Sequence, residues 1–171
     1  HPILLNSCLV NSIHSHFFLM GNSFSSLVYS FLQYLGLYSR EVTILVIGLD
    51  NSGKTTLMYR FLHNKLIQMA PSLHVNEDLF THGGVTIKAY DVGGQESLRI
   101  LWKRFLCDAD AILFLVDSAD SERFEEVKHE LDEFNKMDNT SVPFALLLNK
   151  SDLPTRFTAE EICDKIGAKE V

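Results

Sequence analysis

Between residues 42 and 63 the chain runs through three kinds of sequence in quick succession. A β-branched apolar run at 42–47 leads into Gly48-Leu49-Asp50-Asn51-Ser52-Gly53-Lys54-Thr55, and a helix-compatible stretch follows from Lys54 to His63. The octapeptide fits G-x-x-x-x-G-K-[ST], in which successive backbone N–H groups wrap a polyphosphate. Strand, glycine-rich turn and helix start, in that order, aim a helix amino end and its partial positive charge at phosphate oxygens. The fold must therefore contain a strand–loop–helix unit. An accidental glycine-rich turn would carry no reason for either flank. On this reading Gly48, Asp50, Asn51, Ser52, Gly53, Lys54, Thr55 and Thr56 form the phosphate contacts. Lys54 bridges the outer phosphates and the Thr55 hydroxyl holds Mg²⁺.

A length of 171 residues suits one domain with one sizeable core. With 46% hydrophobic and 22% charged residues the composition is that of a soluble globular chain, and a net charge of −7 argues against nucleic acid as a partner. A nucleotide is different, because a few local donors and a divalent ion hold its phosphates. Cys8, Cys107 and Cys163 show neither metal-ligand nor disulfide spacing, which points to a reducing compartment.

Further apolar runs at 85–90, 111–116 and 142–148 alternate with helix-like stretches at 98–107, 121–137 and 158–166. Strands alternating with helices imply an α/β fold, a mostly parallel sheet with helices on both faces. Gly83 and Gly84 read as a hairpin turn that adds one antiparallel edge strand. Three strands run directly into the loops GLDNSGK, DVGGQ and NKSD, which such a sheet gathers at its carboxyl edge.

Each loop has a chemical reading. Asp91 at a strand end is suited to orient Mg²⁺ through water, and Gly94 lets an N–H approach the terminal phosphate without a Cβ in the way. Gln95 is placed to position and polarise an attacking water. Asp152 can accept two hydrogen bonds from the N1–H and exocyclic amine of guanine, an edge that adenine does not offer, while Asn149 and Lys150 buttress the loop and cover the base.

At the amino end, Met20, Gly21 and Ser25 match M-G-x-x-x-[ST], which makes Gly21 a myristoylation candidate if the biological chain starts at Met20. Residues 1–19 are then a non-native leader or a segment derived from an untranslated region. Phe24, Leu27, Val28, Phe31, Leu32 and Leu35 keep one helical face within an expected amphipathic helix at 20–38. Such a stripe packs into the protein or lies in a membrane interface. An acylated Gly21 favours the membrane, because stable anchoring takes two signals.

GLDNSGKT, DVGGQ and NKSD in that order, with Met20-Gly21 and the amphipathic amino end, resemble the ADP-ribosylation-factor branch of the small GTPases. GGQESLR and Trp102 are similar, more loosely, to its Arf-like members. The resemblance runs from Met20 to about Gly167. It implies a Ras-like P-loop GTPase fold, binding of GTP, GDP and Mg²⁺, and hydrolysis that is slow without an activating protein. It also implies a cytoplasmic protein reversibly bound to Golgi or other endomembrane in vesicle traffic. Residues 39–171 become the GTPase domain, incomplete at the carboxyl end, where the family continues with a strand and a helix.

Aligned on the family's Pro-Thr pair, Pro71-Ser72 makes Ser72 a Mg²⁺ ligand that keeps the hydroxyl and loses the methyl restraining χ1. His74 and Val75 replace a glycine and an aromatic of the family, and His74 reads as a surface side chain. Trp102 and Phe105 resemble the aromatic pair that meets exchange factor, activating protein and effectors, yet their i, i+3 spacing is equally that of core residues. The principal reading is a GTP-hydrolysing switch. The alternative is a degenerate nucleotide-binding scaffold with little or no GTPase activity, and Asp152 speaks against an ATP-directed kinase.

Overall fold

The computed structural model describes residues 41–63, 76–82, 85–91, 101–136 and 142–168. The expectations placed on Gly21, the helix at 20–38, Ser72, Gly94 and Gln95 lie outside these residues, as do the turn glycines Gly83 and Gly84.

The described strands are β1 (Glu41–Gly48), β2 (Asn76–His82), β3 (Val85–Asp91), β4 (Ala111–Asp117) and β5 (Phe144–Asn149), joined in the order β2-β3-β1-β4-β5. β1 pairs in parallel with β3 and β4, and β4 in parallel with β5. β2 pairs antiparallel with β3, as the hairpin reading requires. The helices are α1 (Lys54–His63), α2 (Trp102–Leu106), α3 (Phe124–Asn135) and α4 (Ala159–Ile166), with a 3₁₀ turn (Ser121–Arg123) leading into α3.

Residues 44–47 of β1 and 111–116 of β4 are continuous apolar runs because both faces of the sheet are covered there, and the two-residue period then sorts their side chains. Leu45, Ile47, Ile112, Phe114 and Val116 join the cluster that holds residues of α2, α3 and α4. Val42, Ile44, Val46 and Leu115 turn to the other side, where Leu57 and Met58 of α1 meet them. Each side chain is thus buried by its register alone.

Trp102 belongs to the first of these clusters. It is 2% exposed, and its ring meets Phe114 edge-on with centroids 5.9 Å apart. That corrects the assignment of Trp102 to a partner surface: Trp102 and Leu106, one turn apart, form the buried stripe of α2. Phe105 is only partly buried, tilted against Tyr90 at 4.8 Å, and keeps an outward side.

α4 begins where its sequence says it should. Thr158 is the N-cap of a capping box with Glu161, and Gly167 closes the helix in the left-handed region at φ 71°. Ile162 and Ile166 are thereby driven into the core below the loop that follows β5.

Candidate functional site

Because β1, β3, β4 and β5 run parallel, their carboxyl ends share one edge of the sheet, with Val46 opposite Asp91, Gly48 opposite Leu115 and Asp117 opposite Asn149. β1 gives way to the glycine-rich turn at that edge. Gly48 has φ +140°, and a Cβ there would stand 2.3 Å from the Leu115 carbonyl oxygen. Gly53 has φ +95°, and its Cβ would fall 2.3 Å from Asn149 Nδ2. Asn51 holds φ 62°, a conformation that asparagine tolerates better than most residues. At 2.9 Å, Leu57 N–H donates to Gly53 O and α1 is under way, directing its amino end at the turn.

The Lys54 side chain curls back over this turn. Its ammonium donates to Gly48 O at 2.9 Å and to Leu49 O at 2.8 Å, and the residue is 5% exposed. A buried ammonium is tolerated because carbonyls solvate it there, and its charge stays inside the loop. Ser52 is also buried, and its hydroxyl oxygen has no hydrogen-bond partner. Glycines where a Cβ has no room, a buried cation and an orphaned hydroxyl fit a cradle for an oxyanion.

The loop after β5 is fastened to this cradle. Asn149 Nδ2 donates to Ser52 O at 2.7 Å, so the two loops meet directly. Lys150, at φ 60°, pairs through Nζ with Asp117 Oδ2 at 2.6 Å, while Asp117 Oδ1 accepts from Ala119 N–H at 3.0 Å. Ser118 N–H donates to Asn149 O at 2.9 Å, and Phe157 N–H to Ser118 O at 2.8 Å. Asp152 stands exposed at the rim of this stapled loop.

A further brace comes from the 3₁₀ turn. Arg123 Nη1 donates to Asp50 O at 3.0 Å, Nη2 to Asp50 Oδ1 at 2.8 Å, and Nε to Glu126 Oε2 at 2.8 Å. Burial works to raise the Asp50 carboxyl, but the hydrogen bond and charge of Arg123 outweigh it and hold the group below its ordinary value. The guanidinium in turn is held above its ordinary range, first by the Glu126 hydrogen bond, against its own desolvation.

The structure therefore brings together Gly48, Asp50, Asn51, Ser52, Gly53, Lys54, Asn149 and Lys150. Thr55 and Thr56 stand in the first turn of α1, Asp152 at the rim, and Asp91 at the neighbouring strand end. No group of three or more His, Cys, Asp or Glu residues poised to hold a metal occurs among the described residues. Sequence reasoning missed Asp117, Ser118 and Arg123. Asp117 had a signal, since it ends an apolar strand just as Asp91 does; Arg123 had none, because its partner lies far away in sequence.

With this geometry in place, comparison with known proteins is informative. A model of the ADP-ribosylation factor family matches residues 28–171. ADP-ribosylation factor-like protein 4D of Mus musculus is 35% identical over 158 residues, covering 89% of this chain and 78% of that protein. Small COPII coat GTPase SAR1 of Giardia intestinalis is 36% identical over 143 residues, 83% of this chain and 75% of that protein. Among solved structures, the Arl6 BBS3 small GTPase from Trypanosoma brucei with bound nucleotide analogue GppNp is similar at a TM-score of 0.67 and 30% identity, covering 74% of this chain and 77% of that one.

Proposed function

The chain belongs to the ADP-ribosylation factor family of small GTPases, and from that premise we propose that it is a GTP-hydrolysing switch that acts at endomembranes in vesicle traffic. The observation that carries this reading is the 2.7 Å bond from Asn149 to Ser52, which joins the phosphate cradle to the loop bearing Asp152. A ligand that fits both halves has a polyphosphate at one end and a hydrogen-bonding base at the other.

In this reading the turn at 48–55 supplies main-chain amides to the phosphates, and Lys54 gives its ammonium to their outer oxygens. Asp152 accepts from the guanine edge, while Asn149 and Lys150 keep its loop in place. Thr55, Ser72 and Asp91 would hold Mg²⁺, which when bound neutralises charge on the β- and γ-phosphates. Gln95 orients a water against the γ-phosphorus. Its attack breaks the bond to the bridging oxygen and leaves GDP and inorganic phosphate. Ser72 and Gly94 lose their phosphate contacts at that moment, and the loops that carry them relax.

Partners follow from the family. An exchange factor, an activating protein and effectors would read the switch segments, with Phe105 as an outward aromatic beside them. Membrane contact would come from the helix at 20–38 and an acyl group on Gly21; among the described residues no helix is long and apolar enough to cross a bilayer.

The decisive measurement is single-turnover hydrolysis by Gln95→Leu. The variant should bind GTP like the parent and lose hydrolysis by at least about a hundredfold. Hydrolysis at the parental rate would remove Gln95 from the mechanism. A parent no faster than free GTP, even with an activating protein of the family present, would leave the scaffold reading in its place.

A further inference from the structure

Residues 48–55 contain one acidic side chain, Asp50, in a turn whose main-chain donors and buried ammonium otherwise favour an anion. A free carboxylate at that place would repel a polyphosphate, and more strongly the more charge the ligand carries. The structure does not leave it free. Arg123 arrives from the 3₁₀ turn after β4 and takes Asp50 by two nitrogens, one on the carboxylate and one on the main-chain carbonyl, while its third arm is held by Glu126.

We propose that Arg123 is a positioning residue of the nucleotide site: it turns Asp50 away from the phosphates and cancels its charge, which lets the loop accept a triphosphate on nearly the same terms as a diphosphate. The inference rests on the guanine-nucleotide reading above and adds a residue that the reading does not contain.

Three features support it. The contacts suit a guanidinium better than an ammonium, since three separate nitrogens, Nη2, Nη1 and Nε, each meet a different acceptor, Asp50 Oδ1, Asp50 O and Glu126 Oε2. The Arg123 side chain is 27% exposed and those of Asp50 and Glu126 are 37% each, so solvent screens the group in part without abolishing its charge effect on the loop. Finally, Asp50 and Arg123 line the same small cleft as Ser52, Asp117 and Asp120, between the phosphate loop and the end of β4. With arginine in place Asp50, Glu126 and Arg123 carry one net negative charge; without it they carry two.

A strut that merely stiffened the loop would make a different prediction. Its loss would weaken diphosphate and triphosphate alike, and removing the Asp50 charge would not restore the balance. The test is therefore a cycle on the full 171-residue chain, comprising parent, Arg123→Gln, Asp50→Asn and the double variant. Each is titrated, with Mg²⁺ in excess, with fluorescent GDP and with a fluorescent non-hydrolysable GTP analogue.

Arg123→Gln should weaken the analogue about tenfold and GDP about threefold, so that the preference for triphosphate falls about threefold. Asp50→Asn should move the preference the other way by a similar factor, and the double variant should return it to the parental value. An unchanged preference in Arg123→Gln, or a double variant that fails to recover, overturns the inference. Should Arg123→Gln not fold, Asp50→Asn decides alone: an unmoved preference is then the adverse result. A parent that binds neither nucleotide overturns the guanine reading itself, an outcome visible before any variant is compared.

Discussion

At the scale of single residues the site is shaped by side chains that are missing. Gly48 and Gly53 both hold positive φ, but their surroundings differ in stiffness. A methyl at position 48 meets the Leu115 carbonyl, which belongs to the β4 ladder and has nowhere to go. A methyl at position 53 meets the Asn149 amide, a side chain that can swing aside by giving up its bond to Ser52 O. Gly48→Ala should accordingly cost about 3 kcal/mol in urea unfolding, and Gly53→Ala only about 1–2 kcal/mol. Gly53→Ala should nevertheless speed guanine-nucleotide dissociation markedly, because it uncouples the base loop from the cradle. Equal destabilisation by the two, or unaltered dissociation from Gly53→Ala, would show that Asn149 is not the link. The sequence motif marked both glycines. What it could not say is which neighbour each one makes room for, since Leu115 and Asn149 come from strands whose placement beside the turn is a tertiary fact.

Among the elements, the strands were legible because both faces of the sheet are covered, which makes uninterrupted apolar runs diagnostic. Element edges were less so. Residues 121–137 read as one helix, yet Ser121–Arg123 takes a tighter 3₁₀ turn, and there Arg123 reaches Asp50. Trp102 and Phe105 were ambiguous for a related reason: i, i+3 spacing says that two residues share a side of a helix and does not say what lies against it. α4 shows the opposite case, with a boundary written in side chains. The Thr158 hydroxyl accepts from Glu161 N–H at 3.3 Å, and the Glu161 carboxylate accepts from Thr158 N–H at 2.8 Å. Thr158→Ala should cost about 1 kcal/mol, read as a lower urea midpoint with unchanged slope. The Thr158 N–H first, and its hydroxyl second, hold the Glu161 carboxyl below its ordinary value of 4.5. A lowered carboxyl stabilises the fold fully above its ordinary value and loses that contribution as pH falls through the lowered one. Parent and Thr158→Ala should therefore draw together in acid, and a gap that stays constant down to the acid transition would exclude Glu161 from the cap.

For the whole molecule, the strand order β2-β3-β1-β4-β5 places the carboxyl ends of β1, β3, β4 and β5 at one edge of the sheet, so a ligand bound across that edge would be thermodynamically linked to the fold. Alternating strands and helices foretold the parallel sheet, whereas the braces between loops, Lys150 to Asp117 and Arg123 to Asp50, depend on strand neighbours that no local pattern specifies. A nucleotide held by Lys54 on α1 and by Asp152 after β5 would tie together segments that otherwise separate when the chain unfolds. Binding to the folded state alone adds about 2.7 kcal/mol at a hundred times the dissociation constant. For a chain of this size that amounts to roughly 5–10 °C in the melting temperature. GDP or GTP with Mg²⁺ should give such a shift, chelation of the metal should reverse part of it, and ATP at the same concentration should give almost none. Lys54→Ala should melt below the ligand-free parent, because Gly48 O and Leu49 O lose their buried donor, and its melting temperature should not move with any nucleotide. An equal shift with ATP would remove Asp152 from base selection. A shift that survives in Lys54→Ala would move the ligand out of the cradle, because in a chain of net charge −7 a polyphosphate has little reason to settle where no local cation receives it.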